Sequence, residues 1–339
     1  MPGETAWDVL RQGGANDRTD TEEEYFAGRS AFRGGEFRGA DAEGSAALAE
    51  ESGKGWVSRI HYLSAVHPGE RAAVVFSHGF CEFSGKYHEM MYYFYQMGYS
   101  VFFMEHRGHG FSRRFLKDLH KVYVKSYQEY VKDLHVFVEG IVKRRSESGE
   151  LYLFAHSMGG AIGALFLEEY PEVFSRAVLS SPMMELNFGN VADWQVALLA
   201  AWSVIARWDT RYVPGQKGFD YTYSFAGSSC LSEVRYAYVF RQRKQTPEYR
   251  TYGGTYAWAR ASLRATRRLE KYAEKVKIPV LLLQAGKDTM VKPGGQEKFA
   301  ARAKNTKLVR FPESKHEIFN GTARIRERYY REVFGFYDS

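Results

Sequence analysis

The stretch LYLFAHSMGGAIGAL, residues 151–165, constrains the fold more than any other part of the chain. Its apolar beginning predicts a buried strand, and its glycine-rich and alanine-rich end predicts a helix that packs closely on a sheet. Ser157 lies between them in a sharp turn, whose strained backbone requires small residues two positions before and two after the serine. Ala155 and Gly159 meet that requirement. The stretch therefore predicts a nucleophile elbow that presents the Ser157 hydroxyl at the edge of a sheet, with a serine-capped helix start as the alternative.

The composition is that of a globular protein, since 45% of the 339 residues are hydrophobic and 26% are charged. Cys81 and Cys230 are too few for a disulfide framework, and we expect both to be buried in a protein of a reducing compartment. The first residues lack the basic and apolar pattern of a signal peptide. The densest apolar run, residues 196–206, is too short to cross a bilayer. These features predict a cytoplasmic protein.

The net charge of +7 raises the question of an anionic partner. The basic residues are scattered along the chain, and no nucleic-acid-binding motif accompanies them. We therefore expect no nucleic-acid partner and assign these charges to solvated helix faces and helix ends. Weak peripheral contact with anionic membrane surfaces stays open.

Residues 1–54 are predicted to form an amino-terminal extension that is partly irregular, because they are rich in Gly, Glu, Arg and Ala and show little periodicity. After them, apolar strand patterns alternate with helical patterns. The predicted strands cover 56–63, 72–77, 100–105, 151–155, 176–181, 279–285 and 307–311, and the predicted helices cover 86–97, 126–143, 256–275, 294–303 and 322–334. This alternation predicts an α/β protein with a mostly parallel sheet and helices on both faces.

One interval interrupts the alternation, because nearly a hundred residues separate the strand that ends near 181 from the strand that begins near 279. The sequence therefore predicts a core made of 55–184 and 256–339, with residues 185–255 inserted as a cap or lid. Residues 192–206 are apolar on almost every side of a helix. This pattern predicts a helix buried on the core, a helix that lines an entry channel for lipid, or both.

A serine nucleophile needs a histidine base and a carboxylate that orients the histidine. In α/β-hydrolases these residues follow one another along the chain as Ser, acid and His. Asp288 and His316 appear after Ser157 in that order, and each follows a predicted strand. Taken singly, Asp288 could be a turn residue and His316 a surface residue. Together with the elbow, they predict a catalytic triad of Ser157, Asp288 and His316.

The strand at 72–77 leads into a turn at His78, Gly79 and Phe80. In this type of site, the amide after that glycine and the amide after the nucleophile stabilise the oxyanion, which predicts an oxyanion hole made by the Phe80 and Met158 N–H groups. We expect His78, like His106 and His109, to shape loops. The histidines lack metal-ligand spacing, and no phosphate-binding loop follows a strand, so neither a metal nor another cofactor is predicted.

Several segments together resemble the monoacylglycerol lipase and lysophospholipase branch of the α/β-hydrolases. They are HGFCEFSGKY at 78–87, RGHGFS at 107–112, AHSMGG at 155–160, SSPM at 180–183, GKD at 286–288 and HE at 316–317. The chain departs from this branch at Ala155, where Gly is usual, and at Glu105, where Asp is more frequent. Neither departure removes a catalytic atom. The resemblance covers about residues 72–335 and implies the α/β-hydrolase fold and a lipid ester substrate.

The sequence thus predicts a serine carboxylester hydrolase that cleaves a monoacylglycerol or lysophospholipid through an acyl-enzyme. The same triad also serves hydrolases of other esters, thioesters and peptides, so these substrates remain alternatives. A non-catalytic ligand-binding protein of this fold is a further alternative, although every triad residue is present.

Overall fold

The computed structural model describes residues 33–38, 59–189 and 191–339 of the protein. An eight-stranded sheet runs through the centre of this described part. Its strands are β1 (Arg33–Arg38), β2 (Arg59–Ala65), β3 (Ala73–Ser77), β4 (Ser100–Met104), β6 (Leu151–His156), β7 (Arg176–Ser180), β9 (Val280–Ala285) and β10 (Thr306–Phe311). They lie side by side in the order β1-β2-β4-β3-β6-β7-β9-β10. Two further short strands, β5 (Lys121–Val122) and β8 (Gly253–Gly254), pair with each other in a separate parallel ribbon.

The six strands from β4 to β10 in the central sheet are parallel, whereas β1 and β2 are antiparallel to their neighbours. The inner strands β3, β4 and β9 are buried at every position, as expected for a sheet covered on both faces. Because the parallel strands share one direction, the loops after β3, β6, β9 and β10 leave the sheet at the same edge. The predicted mostly parallel sheet is confirmed.

The helices cover both faces of this sheet. They are α1 (His88–Gln96), α2 (Tyr127–Phe137), α3 (Met158–Glu169), α4 (Asp193–Ile205), α5 (Glu233–Gln245), α6 (Tyr256–Tyr272), α7 (Pro293–Arg302) and α8 (Ala323–Tyr337). On one face, α1 and α8 pack in one apolar cluster, and on the other face α2, α3, α6 and α7 pack in a second. Helix α2 begins with a capping box between Ser126 and Glu129, and continues through a π-helical turn at Val138–Val142.

Strand β1 was not predicted from the sequence. It lies within the extension 1–54 that was expected to be partly irregular, and pairs with β2 over six residues, from Arg33 opposite Ser64 to Arg38 opposite Arg59. Its segment RGGEFR contains two glycines and shows no clear alternation. The rest of that extension lies outside the described residues.

Helix α4 is largely exposed, so, of the two alternatives for residues 192–206, a helix buried on the core is wrong. Trp194 and Ile205 are 68% and 72% exposed, and Leu198 and Trp202 are exposed on the same side of the helix. Ser203 faces the protein and accepts a hydrogen bond from Arg260 of α6 at 2.7 Å. Within the described residues, no helix combines the length and the apolar character needed to cross a membrane.

The 185–255 segment contacts the rest of the protein through polar bonds on α5 and just before it. Arg235 of α5 forms a bidentate pair with Glu89 of α1, at 2.7 and 2.8 Å, and Arg326 of α8 also contacts Glu89. In addition, the Leu231 and Ser232 N–H groups donate to the Asn320 carbonyl at 3.1 and 3.0 Å. The 228–232 region is thus bonded to the loop after β10.

Candidate active site

Ser157 lies in a strained turn between β6 and α3, with φ 52° and ψ −118°. The turn requires close approach of the backbone, since a methyl group on Gly159 would lie 2.1 Å from the Ser77 carbonyl oxygen. The methyl group of Ala155, at the position where Gly is usual, faces Gly163, where an added Cβ would lie 3.1 Å from it. The glycine at 163 therefore makes room for the alanine at 155.

Ser157, His316 and Asp288 form a continuous chain of hydrogen bonds. His316 Nε2 lies 2.8 Å from Ser157 Oγ, and His316 Nδ1 lies 2.6 Å from Asp288 Oδ2. With Nδ1 protonated, the ring donates to the carboxylate and can accept the serine proton at Nε2. The structure thus brings together the three residues that the sequence predicted as a triad, although they come from loops after β6, β9 and β10.

The Asp288 carboxylate is oriented by backbone donors as well as by the histidine. Its Oδ1 atom accepts from the Met290 and Val291 N–H groups, at 2.8 and 3.1 Å. Burial by itself raises the pKa of Asp288, but the hydrogen bond to His316 and these amides outweigh burial and hold the pKa below its usual range. The carboxylate is therefore ionised at neutral pH, as a group that stabilises an imidazolium must be.

His316 is also held from the side of its main chain. Ser181, which follows β7 with a positive φ of 43°, donates from its Oγ to the His316 carbonyl at 2.7 Å. The neighbouring Ser180 carbonyl accepts from the Ser157 N–H at 3.0 Å. The end of β7 thus supports both Ser157 and His316. This role of Ser181 was not predicted from the sequence, where its place at the end of a buried strand and in the segment SSPM was the available signal.

Phe80 and Met158, the predicted oxyanion donors, lie next to the same tryptophan. The Phe80 ring lies 4.2 Å from the Trp258 ring, between centroids, and Trp258 Nε1 lies 3.5 Å from Met158 Sδ. In the described part of the chain, neither the Phe80 nor the Met158 N–H donates to a backbone acceptor. Two amides without an internal acceptor, on turns that contact each other at Ser77 and Gly159, are suited to receive a substrate oxyanion.

The three loop histidines make the contacts expected of residues that shape loops. His78 Nδ1 bonds the Gly79 carbonyl at 2.8 Å, and His78 Nε2 accepts from the His106 N–H at 2.9 Å. His109 Nδ1 lies 3.2 Å from the Arg107 carbonyl. Across residues 33–38, 59–189 and 191–339, no group of three or more His, Cys, Asp or Glu side chains is arranged to hold a metal ion.

A buried ionic cluster that was not predicted from the sequence lies beside the site. Lys86 Nζ lies 2.5 Å from Glu82 Oε1 and 2.7 Å from Glu317 Oε1, and all three side chains are nearly inaccessible to solvent. Glu82 and Lys86 are four residues apart, and Glu317 directly follows His316. The spacing of Glu82 and Lys86 was the available signal, but the burial of this pair against Glu317, far along the chain, cannot be recognised from a single sequence.

Comparison with known proteins agrees with this architecture. The model of a hydrolase family described as "Serine aminopeptidase, S33" matches residues 68–323, which is more than half of the chain. The chain is 27% identical over 277 residues to a probable lysophospholipase L2 from Haemophilus influenzae, covering 81% of this chain and 87% of that protein. It is 31% identical over 219 residues to lysophospholipase L2 of Escherichia coli K12, where the match covers 64% of each chain.

Solved structures show the same fold. A soluble variant of monoglyceride lipase from Saccharomyces cerevisiae, in complex with a substrate analogue, superposes with a TM-score of 0.67. That match has 20% sequence identity and covers 84% of this chain and 92% of the yeast chain. The predicted α/β-hydrolase fold is confirmed.

Proposed function

This chain belongs to the serine aminopeptidase S33 family of hydrolases and is an enzyme of the esterase and lipase type, and on that premise we propose that it cleaves a monoacylglycerol or a lysophospholipid by serine catalysis. The single observation that supports this proposal most strongly is the chain of hydrogen bonds from Ser157 through His316 to Asp288. The names of the two lysophospholipase relatives favour a lipid substrate.

In the first half of the proposed reaction, Ser157 Oγ attacks the ester carbonyl carbon while His316 Nε2 accepts the hydroxyl proton. Asp288 keeps Nδ1 protonated and stabilises the imidazolium that forms. The Phe80 and Met158 N–H groups donate to the oxyanion of the tetrahedral intermediate. His316 then gives its proton to the leaving alcohol as the carbon–oxygen bond breaks, which leaves an acyl group on Ser157.

In the second half, water enters where the alcohol has left, and His316 removes a proton from it. The water oxygen attacks the acyl carbon, and the same two amides receive the oxyanion. Collapse of this intermediate transfers the proton from His316 back to Ser157 Oγ. The free fatty acid leaves, and no cofactor is required at any step.

We propose further that the 185–255 segment is the cap of this enzyme and contacts membranes peripherally. Trp194, Leu198 and Ile205 line one exposed side of α4, and such a stripe is typical of helices that lie at a lipid surface. Arg207 and Arg211 follow the helix and are exposed, so they suit anionic headgroups. A cytoplasmic enzyme with this surface would reach its lipid substrates from the membrane interface.

A serine-directed fluorophosphonate tests the chemistry directly. We expect the wild-type protein to be labelled covalently and Ser157→Ala to be neither labelled nor active. Turnover should be highest with monoacylglycerols or lysophospholipids in a panel that also contains short aryl esters. Equal labelling or turnover by Ser157→Ala would contradict the proposed nucleophile, whereas activity that falls as the acyl chain lengthens would contradict the lipid substrate alone.

A peptidase is the second candidate, because the family is described as a serine aminopeptidase. The same triad can cleave an amide, since His316 would protonate a leaving amine instead of an alcohol. Hydrolysis of aminoacyl para-nitroanilides separates the two functions. Turnover of these amides with a higher kcat/KM than that of any lipid ester in the panel would favour the peptidase.

A further inference from the structure

The cluster of Glu82, Lys86 and Glu317, here called the ionic bridge, spans two loops that the proposed reaction uses. Lys86 contacts both carboxylates, and the exposed fractions of the Glu82, Lys86 and Glu317 side chains are 6%, 5% and 12%. Carboxylates and ammonium groups lose much hydration energy on burial, so such a group is usually retained only where its geometry is tightly satisfied. The contacts of the ionic bridge show which two segments it joins: the turn at Gly79 and the loop that carries His316.

At one end, Glu82 holds the oxyanion turn. Its Oε2 atom accepts from the Gly79 N–H at 2.6 Å and from the Tyr87 hydroxyl at 2.5 Å. The Gly79 N–H belongs to the peptide unit directly before the one that carries the Phe80 N–H, so this bond anchors the residue from which the oxyanion donor follows. A methyl group on Gly79 would lie 2.7 Å from Glu82 Oε2, which shows how closely the carboxylate fits the turn.

At the other end, Glu317 holds the loop that carries His316. Its Oε2 atom accepts from the Asn320 amide at 2.8 Å, and its Oε1 atom accepts from Ser229 at 2.5 Å. The Glu317 N–H also donates to the Ser229 carbonyl at 2.9 Å. The residue after His316 is thereby fixed both to the 185–255 segment and, through Lys86, to Glu82.

All three groups are charged at neutral pH. Burial by itself raises the pKa of Glu82, but Lys86 and the hydrogen bonds outweigh burial and hold that pKa well below its usual range. Burial alone would lower the pKa of Lys86, but Glu317 and Glu82 raise it. The bridge is therefore a carboxylate, an ammonium and a second carboxylate, with attraction on both sides of the lysine.

We propose that Glu82, Lys86 and Glu317 are positioning residues that keep the oxyanion turn and the His316 loop at a fixed separation. This inference rests on the proposed function and adds that the two halves of the reaction site are aligned by one internal salt bridge. The oxyanion amides and the histidine must act on the same tetrahedral carbon, so a shift of either loop would misplace one of them. The bridge acts through Gly79 and His316 and does not contact the substrate.

Replacement of one bridge carboxylate by its amide tests the proposal. In Glu82→Gln, the side chain offers one acceptor and one donor where the carboxylate offers two acceptors, so either the Gly79 N–H or the Lys86 ammonium must face an NH2 group. We expect kcat for para-nitrophenyl butyrate to fall about 10-fold to 100-fold, because a misaligned oxyanion donor weakens transition-state binding. KM should change less than about threefold.

Glu89→Gln is the matched control, because Glu89 is also a buried carboxylate that joins two cations, Arg235 and Arg326, and lies in α1, outside the oxyanion turn and the His316 loop. We expect both variants to lower Tm, and only Glu82→Gln to lower kcat. If Glu82→Gln proves insoluble, the pair Lys86→Met and Lys86→Arg replaces it. The arginine variant keeps a cation between the carboxylates and should retain at least about tenfold more kcat than the methionine variant.

The outcomes separate this inference from the proposed function. A wild-type protein without turnover or labelling overturns both. A wild-type protein that is active and inactivated by Ser157→Ala, with kcat unchanged in Glu82→Gln or equally reduced in Glu89→Gln, overturns the positioning role alone. Equal kcat in Lys86→Met and Lys86→Arg would overturn it in the same way.

Discussion

Ser157 holds a backbone conformation that residues with a side chain rarely adopt, and it does so because its neighbours leave no alternative. Its positive φ places the hydroxyl within 2.8 Å of His316 Nε2. Residues kept in such sparsely populated regions typically cost about 1 to 3 kcal/mol, which the surrounding contacts must offset. At this position the offset comes from the fit of Gly159 against β3 and from the bond between the Ser157 N–H and the Ser180 carbonyl.

Gly159→Ala should therefore destabilise the protein. The added methyl group would lie 2.1 Å from the Ser77 carbonyl oxygen and 2.5 Å from that of His78, and backbone atoms at both sites cannot move aside easily. We expect unfolding free energy to fall by about 1 to 3 kcal/mol or more, measured by urea denaturation. Gly140→Ala is the control, since a methyl group there meets nothing within 4 Å. Equal stability of the two variants would contradict this account of the elbow.

Asp288→Asn should impair catalysis without disturbing the fold. The amide would accept the His316 Nδ1 proton less well and favour the tautomer in which Nε2 is protonated and cannot accept the serine proton. We expect kcat to fall about 1,000-fold to 10,000-fold, with KM little changed. Asp220→Asn, on an exposed loop where Asp220 pairs with Lys217, serves as the control and should retain full activity. A loss below tenfold would argue against Asp288 as the orienting acid.

Helix α4 shows that composition alone does not decide where an apolar element lies. Its sequence DWQVALLAAWSVI would suit the interior, yet both tryptophans and most of its other large side chains are exposed, while Ser203 bonds α6. The half-buried residues Val196, Leu199 and Ala200 lie on the same side of α4 as Ser203, which leaves the tryptophans on the outside. Tryptophan with one apolar face and one polar N–H is well suited to a membrane interface.

The exposed side of α4 should bind lipid vesicles. We expect Leu198→Glu and Trp202→Glu, each made in a Ser157→Ala background so that no lipid is consumed, to weaken flotation with mixed phosphatidylcholine and phosphatidylglycerol vesicles at least about tenfold. Because both side chains are exposed, Tm should change little. Val234→Glu, which alters a similarly exposed apolar residue on α5, is the control. Undiminished flotation of both α4 variants would rule out this helix as the contact.

At the scale of the whole molecule, the parts predicted well from sequence are those set by neighbours along the chain. The elbow depends on residues within two positions of Ser157, Asp288 follows a strand that is apolar along most of its length, and His316 follows the shorter apolar pattern of β10. A parallel sheet then brings them to one edge. What sequence could not predict depends on distant partners: the strand at 33–38, the outward side of α4, and the burial of Lys86 between Glu82 and Glu317.

Four buried histidines should make the whole protein labile in acid. Burial lowers the pKa of His78, His106, His109 and His156, the last to about 4. Each takes up a proton more readily when unfolded, with an ordinary pKa of 6.5, so its stabilising contribution is complete above that pH and is lost as the pH falls. At pH 5, preferential protonation of each of these histidines in the unfolded state lowers the free energy of unfolding by up to about 2 kcal/mol.

Glu168 opposes this trend. Burial raises the pKa of Glu168 to about 7, so this residue lowers stability as the pH rises from 4.5 to 7. Because it is one carboxyl against four imidazoles, we expect Tm to fall steadily between pH 7 and pH 4 in a differential scanning calorimetry series. A Tm that is constant or rises over this range would show that the buried histidines do not dominate.

Because β1 covers one edge of β2, we expect it to limit association between copies of the protein in solution. At the opposite edge of the sheet, β10 carries Lys307 and Arg310, charges that discourage edge-to-edge pairing. Strand β2, RIHYLSA, has no charged residue after Arg59, and its edge that faces away from β4 is paired with β1. A protein that begins at residue 39 would expose that side as a template for a second chain. This shortened protein should self-associate, so its mass measured by light scattering should increase with protein concentration. The mass of the full chain should not. Such a result would mean that β1 protects the protein from aggregation.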